Sequence, residues 1–189
     1  MVQPVLGVTS CPFTCGFHDM LVKLSPKEMS VCEQAANLRS QLARTSGVVN
    51  QRRDQGRTDK DIDFLGVRAE TAVAKVFDIE YTPFQLGVDS GKDLWLGDIS
   101  IDVKATFYTD GRLLFKTRDA FKAYCAVLVC EHTPEILDVV GCITRKDFCI
   151  ECQEGDLGHG VGVYVEQENL QPLHDLWLFS TERRLRFNE

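Results

Sequence analysis

Asp102-Val103-Lys104 places a carboxylate and an ammonium either side of one apolar residue. In a strand these two side chains point to the same face, about 6–7 Å apart along the backbone. Ile101 and Val103 point the other way, into a core. Such a pair is costly to desolvate unless each charge has a partner, so a second carboxylate is expected near it. Asp89, Asp93 and Asp98 are the candidates. Leu94-Trp95-Leu96 and Ile99-Ser100-Ile101-Asp102-Val103 read as two strands joined by Gly97-Asp98, and Gly first in a two-residue connection suits a type II′ hairpin. That register sets Leu96 against Ile99, Trp95 against Ser100, Leu94 against Ile101 and Asp93 against Asp102. Directly opposed residues share a face with Cβ atoms about 5 Å apart, and like charges there repel. Asp98 is roughly 13 Å from Asp102 along an extended strand, and Asp89 reaches only through a flexible Asp-Ser-Gly segment. The register therefore selects Asp93. A cation between Asp93 and Asp102 relieves the repulsion, and hard oxygen ligands select Mg²⁺ or Mn²⁺. Lys104 is placed to orient or deprotonate a water, or to stabilise the charge that builds on a phosphorane.

These residues need elements to hold them. Ser25-Pro26-Lys27-Glu28 has capping-box form with Pro at the first helical position, and the helix it opens runs to about Arg44. Residues 46–60 are polar and read as a loop. Ile62, Leu65, Ala69, Ala72, Val73 and Val76 recur at helical spacing and predict a second helix ending near Phe77. Glu70 lies beside that apolar stripe and can supply a third oxygen from the edge of the buried face. Leu113-Leu114-Phe115 predicts a third strand. The apolar runs Tyr124–Cys130 and Asp138–Ile143 predict inner strands. Thr144-Arg145-Lys146-Asp147 opens a short helix, Val163-Tyr164-Val165 is a short strand, and Leu173–Phe179 closes the chain as a helix or turn. Residues 1–24 read as irregular. With no repeats and no linker, one α/β domain results: residues 1–60 form an N-terminal segment and helix packed on or flanking a core that spans 61–189.

The ordered set Glu70, Asp93 and Asp102-Val103-Lys104, with a helix before a hairpin, resembles the PD-(D/E)xK nuclease superfamily across roughly the middle half of the chain. The resemblance implies a restriction-endonuclease-like αβββαβ core, with a central mixed sheet flanked by helices. It implies a divalent-metal-dependent nuclease acting on phosphodiester bonds, mostly of DNA. Asp93, Asp102 and the backbone carbonyl of Val103 would hold the metal, Glu70 would assist, and Lys104 would be catalytic. Lys92 stands where the family's motif has Pro. The Arg-containing segment before the helix gives the chain the general style of phage-encoded members. Intact Glu, Asp, Asp and Lys argue against a non-catalytic nucleic-acid-binding or assembly protein of the same fold, which is the alternative.

The chain has 189 residues, 44% hydrophobic, with a net charge of −7. That balance excludes a protein that coats nucleic acid by bulk charge, but not a nuclease with few, local phosphate contacts. Arg52, Arg53, Arg68, Lys116 and Lys122 are the candidate phosphate ligands. The strand position of Trp95 favours core packing over base stacking. Of eight cysteines, Cys125, Cys130 and Cys142 fall in strand-like runs as small core residues. Cys11-x3-Cys15 and Cys149-x2-Cys152 would together supply four sulfurs for zinc or an iron–sulfur cluster. Neither pair has Gly-rich knuckle turns, which favours ordinary thiols. No apolar run approaches the roughly 20 residues of a membrane helix, and Met1–Leu6 has no basic region ahead of an apolar core. The expected setting is intracellular, without a membrane partner.

Overall fold

The computed structural model describes residues 20–45, 56–84, 91–156 and 160–186. Helix α1 (Pro26–Thr45) begins as its sequence predicts. The Ser25 N–H donates to Glu28 Oε2 at 2.6 Å, and the Glu28 N–H donates back to Ser25 Oγ at 3.3 Å. Helix α2 (Asp59–Val76) starts a little before its apolar stripe because Thr58 and Asp61 form a second capping box. Its N-cap, Thr58, lies inside the stretch 46–60 assigned to loop.

Five strands form a mixed sheet in the order β1-β6-β5-β3-β2 among the described residues. These are β1 (Met20–Lys23), β2 (Leu94–Leu96), β3 (Ile99–Thr106), β5 (Cys125–Thr133) and β6 (Ile136–Thr144). β3 pairs with β5 in parallel; the other pairings are antiparallel. β5 is central and nearly fully buried from Cys125 to Cys130, as its unbroken apolar run requires. β1 corrects the reading of residues 1–24 as wholly irregular. It is four residues long with one buried side chain, too short to carry a periodic signal, and pairing with β6 makes it a strand.

The two faces of this sheet are covered differently. On one face, Ile99 and Ile101 of β3 join Cys125, Val127 and Val129 of β5 in a core with α1 and α2. Leu173 and Leu176 of α4 (Leu173–Arg186) enter the same core, so the closing segment is a helix. On the other face lies a second core of Ala126, Leu128, Cys130, Phe115, Phe121 and Phe148. Phe115 stacks on Phe121 at 4.6 Å between ring centroids, and Phe148 meets both edge-on. This second core is roofed by a three-stranded sheet, β4-β8-β7, and by α3 (Arg145–Glu151). β4 (Leu113–Phe115), β7 (Gln153–Asp156) and β8 (Val161–Val165) make that small sheet. The third strand expected in the central sheet, β4, therefore pairs with β8 instead. The central sheet is flanked by helices on one side and by a small sheet with one short helix on the other. No helix among the described residues is long and apolar enough to cross a membrane.

Cys125, Cys130 and Cys142 are buried core thiols, as their strand positions predict. Burial pushes Cys142 up to about 12, with the Asp175 charge adding to it, and pushes Cys130 up to about 11. Burial also holds Cys125 well above the ordinary thiol value of 9.0. In the unfolded chain these thiols ionise near that value, while the folded chain keeps them protonated. The folded state thus loses ground as pH rises through 9 towards the folded values. Urea unfolding at pH 8 and pH 10 is expected to show lower stability at pH 10, with a smaller difference in Cys142→Ala. A stability that does not change between these pH values in wild type contradicts this account.

Candidate active site

The hairpin that positions the site has the predicted register: Leu94 faces Ile101, Trp95 faces Ser100 and Leu96 faces Ile99. Gly97 alone of the two turn residues has positive φ, at 65°, as a type II′ turn requires. Beyond Leu94 the ladder staggers. The Asp93 N–H donates to the Ile101 carbonyl at 2.8 Å, and Asp93 Oδ2 accepts the Val103 N–H at 2.6 Å. Val103 lies past the end of β2, so its N–H has no strand partner on that edge. The Asp93 carboxylate takes the place of the missing strand. It sits against the peptide that joins Asp102 to Val103. In a strand a residue's carbonyl points to the same edge as its N–H, so the Val103 carbonyl shares that edge with Asp93.

Asp102 lies on the face away from α1 and α2. Its neighbour in β5 is Ala126, a member of the second core. The Asp102 side chain is 2% exposed, and its Oδ1 accepts a hydrogen bond from Lys104 Nζ, whose side chain is 34% exposed. This is a buried carboxylate with a half-buried ammonium beside it, not a surface pair. Lys104 Nζ also stands 4.7 Å from the centre of the Phe115 ring. Phe115 comes from the small sheet, so the roof of the second core supports the lysine on its apolar side. Gly91 closes the other flank. A Cβ built there would lie 3.9 Å from Asp102 Oδ2 and 3.8 Å from the Lys122 Cβ, and its φ is 76°. Gly91 lets the chain pass close to Asp102 with Lys122 alongside.

Glu70 stands apart from this group. It is buried on the helical side of the sheet. Arg39 of α1 grips it with two hydrogen bonds, Nη1 to Oε1 at 2.8 Å and Nη2 to Oε2 at 2.7 Å. The Tyr81 hydroxyl donates to Oε2 as well. Burial, reinforced by the Glu70 charge, raises the Tyr81 phenol above its ordinary range, and the hydrogen bonds to Glu70 raise Arg39. Helix-face geometry in the sequence correctly turns Glu70 inward, but the strand alternation of β3 turns Asp102 to the opposite face. No three His, Cys, Asp or Glu side chains among the described residues are grouped as a metal site. Arg39 and Tyr81 carry no motif that the sequence offers.

The remaining candidates separate clearly. Arg68 is 3% exposed and bound to Glu131 Oε2 at 2.6 Å and to the Pro134 carbonyl. It ties α2 to the β5–β6 hairpin and is not available to a phosphate. Lys116 and Lys122 are exposed. Arg52, Arg53, Asp89, Cys11 and Cys15 lie outside the described residues. Cys149 is exposed on α3, and Cys152 is buried at its end, accepting from Arg118 Nε at 3.2 Å. Trp95 is 52% exposed, against the expectation of core packing. Leu94 and Leu96 flank it and are buried, so period-two alternation sends Trp95 to the other face. No family model, curated protein or solved structure matches the chain.

Proposed function

We propose that this chain is a divalent-metal-dependent phosphodiesterase, acting most naturally on DNA, with a restriction-endonuclease-like core. The observation that carries the reading is the pairing of a buried Asp102 with Lys104 beside an Asp93 carboxylate fixed to the Val103 N–H. A buried ion pair of this kind contributes little net stability over an apolar pair, which leaves function as the reason for its chemistry. The oxygens of Asp93, Asp102 and the Val103 carbonyl suit Mg²⁺ or Mn²⁺, which take one or two carboxylates together with waters and substrate phosphate. When bound, such an ion polarises the scissile phosphate and acidifies water. Asp93 is oriented by its backbone hydrogen bond. Asp102 is held by Lys104 and screened from solvent by Gly91 and the second core. Lys104, half-buried against Phe115, presents an ammonium to the attacking water or to the charge that builds on phosphorus. Glu70 keeps a structural place in this scheme, binding α1 to α2.

The test is cleavage of linear, circular and single-stranded DNA with Mg²⁺ and with Mn²⁺. Metal-dependent product formation is expected, and its absence on every substrate with either metal rejects the reading. A non-catalytic nucleic-acid-binding protein of the same fold is the second reading, favoured by the engagement of Glu70 with Arg39 and Tyr81. It predicts DNA binding without cleavage.

A further inference from the structure

Trp95, Ser100, Asp102 and Lys104 all point to the same face of the central sheet. Trp95 faces Ser100 across the hairpin, and Ser100, Asp102 and Lys104 are alternate residues of β3. Along this face, at the end of the sheet where the hairpin turns, lies an open groove of about 920 Å³. Its basic side chains are Lys92, Lys122, Arg145 and Lys146, against Asp98 and Asp147. Asp147 already accepts from the Thr144 hydroxyl at 2.7 Å and from Gln171 Nε2 at 3.1 Å. The groove is therefore basic in a chain whose net charge is −7.

Backbone contacts make this a built row of neighbouring elements. The Tyr124 N–H donates to Ser100 Oγ at 2.9 Å, and the Arg145 N–H donates to the Tyr124 carbonyl at 2.9 Å. Neighbouring strands lie about 4.8 Å apart, so the row from Trp95 on β2 through Ser100 and Tyr124 to Arg145 spans roughly 15 Å. Two aromatic side chains are exposed along it. Trp95 carries Lys92 Nζ at 5.4 Å from its ring centre. Tyr124, 37% exposed, stacks on Phe179 of α4 at 5.6 Å between centroids. Lys122 of the groove and Asp102 both border Gly91.

We propose that this groove binds a single-stranded polynucleotide, with bases on Trp95 and Tyr124 and phosphates on Lys92, Lys122, Arg145 and Lys146, leading the strand towards Asp102. The inference rests on the nuclease reading only for the fate of the strand, and narrows its substrate. A base reaches an aromatic face only when it is free of its own duplex stack, and alternating aromatic and basic groups along a groove suit a single strand of any sequence. A duplex offers phosphates to the lysines but no base faces to Trp95.

Fluorescence anisotropy tests this with full-length protein in EDTA, using labelled oligothymidylate, oligouridylate and a blunt DNA duplex of equal length. Oligothymidylate is expected to bind at least about tenfold tighter than the duplex, and the oligouridylate arm shows whether DNA or RNA is preferred. Trp95→Ala is expected to weaken it about 5- to 100-fold, while Trp95→Phe keeps most of the affinity. Arg145→Glu with Lys146→Glu is expected to lower the salt slope by about 1.4, the contribution of two phosphate contacts on a single strand. Melting curves check that each variant folds, and the charge variant decides the matter if Trp95→Ala does not. Equal or tighter duplex binding, or wild-type affinity in both the folded Trp95 variant and the charge variant, overturns the proposal. Parallel cleavage with Mg²⁺ separates it from the nuclease reading. Tight single-strand binding without cleavage removes the nuclease and keeps the groove. Cleavage that is indifferent to Trp95 and to the basic pair removes the groove and keeps the nuclease.

Discussion

Asp102→Ala is expected to reduce Mg²⁺-dependent cleavage roughly a thousandfold, because it removes a carboxylate placed for the metal, a loss of several kcal/mol at about 1.4 kcal/mol per tenfold. Lys104→Ala is expected to cost about 10²- to 10⁴-fold, the range of a positioned acid, base or charge stabiliser. The two effects differ in kind. Asp102 is 2% exposed, so Asp102→Asn is the better probe of charge, keeping shape and burial. Lys104 is about one-third exposed, and its loss removes the ammonium that donates to the buried Asp102 Oδ1. Lys104→Met retains the packing on Phe115 while removing the ammonium. Single-turnover rates with each variant, beside thermal melting, separate chemistry from folding. Folded Asp102→Asn and Lys104→Met proteins that cleave at the wild-type rate would falsify the site.

Arg39→Ala is expected to lower folding stability by about 3 kcal/mol, since it leaves the Glu70 carboxylate buried with its main charge partner gone. With an unfolding slope of about 1–3 kcal/mol per molar urea, the midpoint drops by roughly 1–3 M. The Glu70 side chain is 11% exposed and the Arg39 side chain 29%, so water cannot fully replace the lost guanidinium. Well below its melting temperature the variant is expected to keep cleavage within about tenfold of wild type, an indirect effect smaller than loss of a reacting group. This separates two roles for Glu70. If it binds metal with Asp93 and Asp102, Glu70→Gln abolishes cleavage with little change in the urea midpoint. If it clamps α1 to α2 through Arg39, the midpoint moves and cleavage largely survives. The arrangement of Arg39 and Tyr81 around Glu70 favours the second outcome.

Much of the scaffold was legible because its signals are local. The Ser25–Glu28 capping box, the apolar stripe of α2, the Gly97-Asp98 turn and the apolar runs of β5 and β6 each depend on residues a few positions apart. The same locality limited what they revealed. β1 is defined by its partner β6, and β4 leaves the central sheet because β8, some fifty residues further on, pairs with it. Neither pairing leaves a mark within the segment itself. Trp95 was misread for a different reason: its strand position was weighed, but not the buried Leu94 and Leu96 that force it to the other face.

For the site, local sequence alone puts Asp102 and Lys104 on one face and sets Leu94, Trp95 and Leu96 against Ile101, Ser100 and Ile99. Backbone alternation and a two-residue turn are enough for that. What surrounds them depends on contacts between distant parts of the chain. The fold set the Asp93 carboxylate on the Val103 N–H, because β2 ends there and leaves a donor to satisfy. It gave Glu70 to Arg39 and Tyr81 on the opposite side of the sheet, because α2 packs on the face to which Ile99 and Ile101 point. It also gathered Lys92, Trp95, Lys122, Tyr124 and Arg145, which come from three separate segments, at one end of the sheet. Side-chain direction follows from neighbours in sequence, whereas side-chain company depends on which strands pair and which faces are covered.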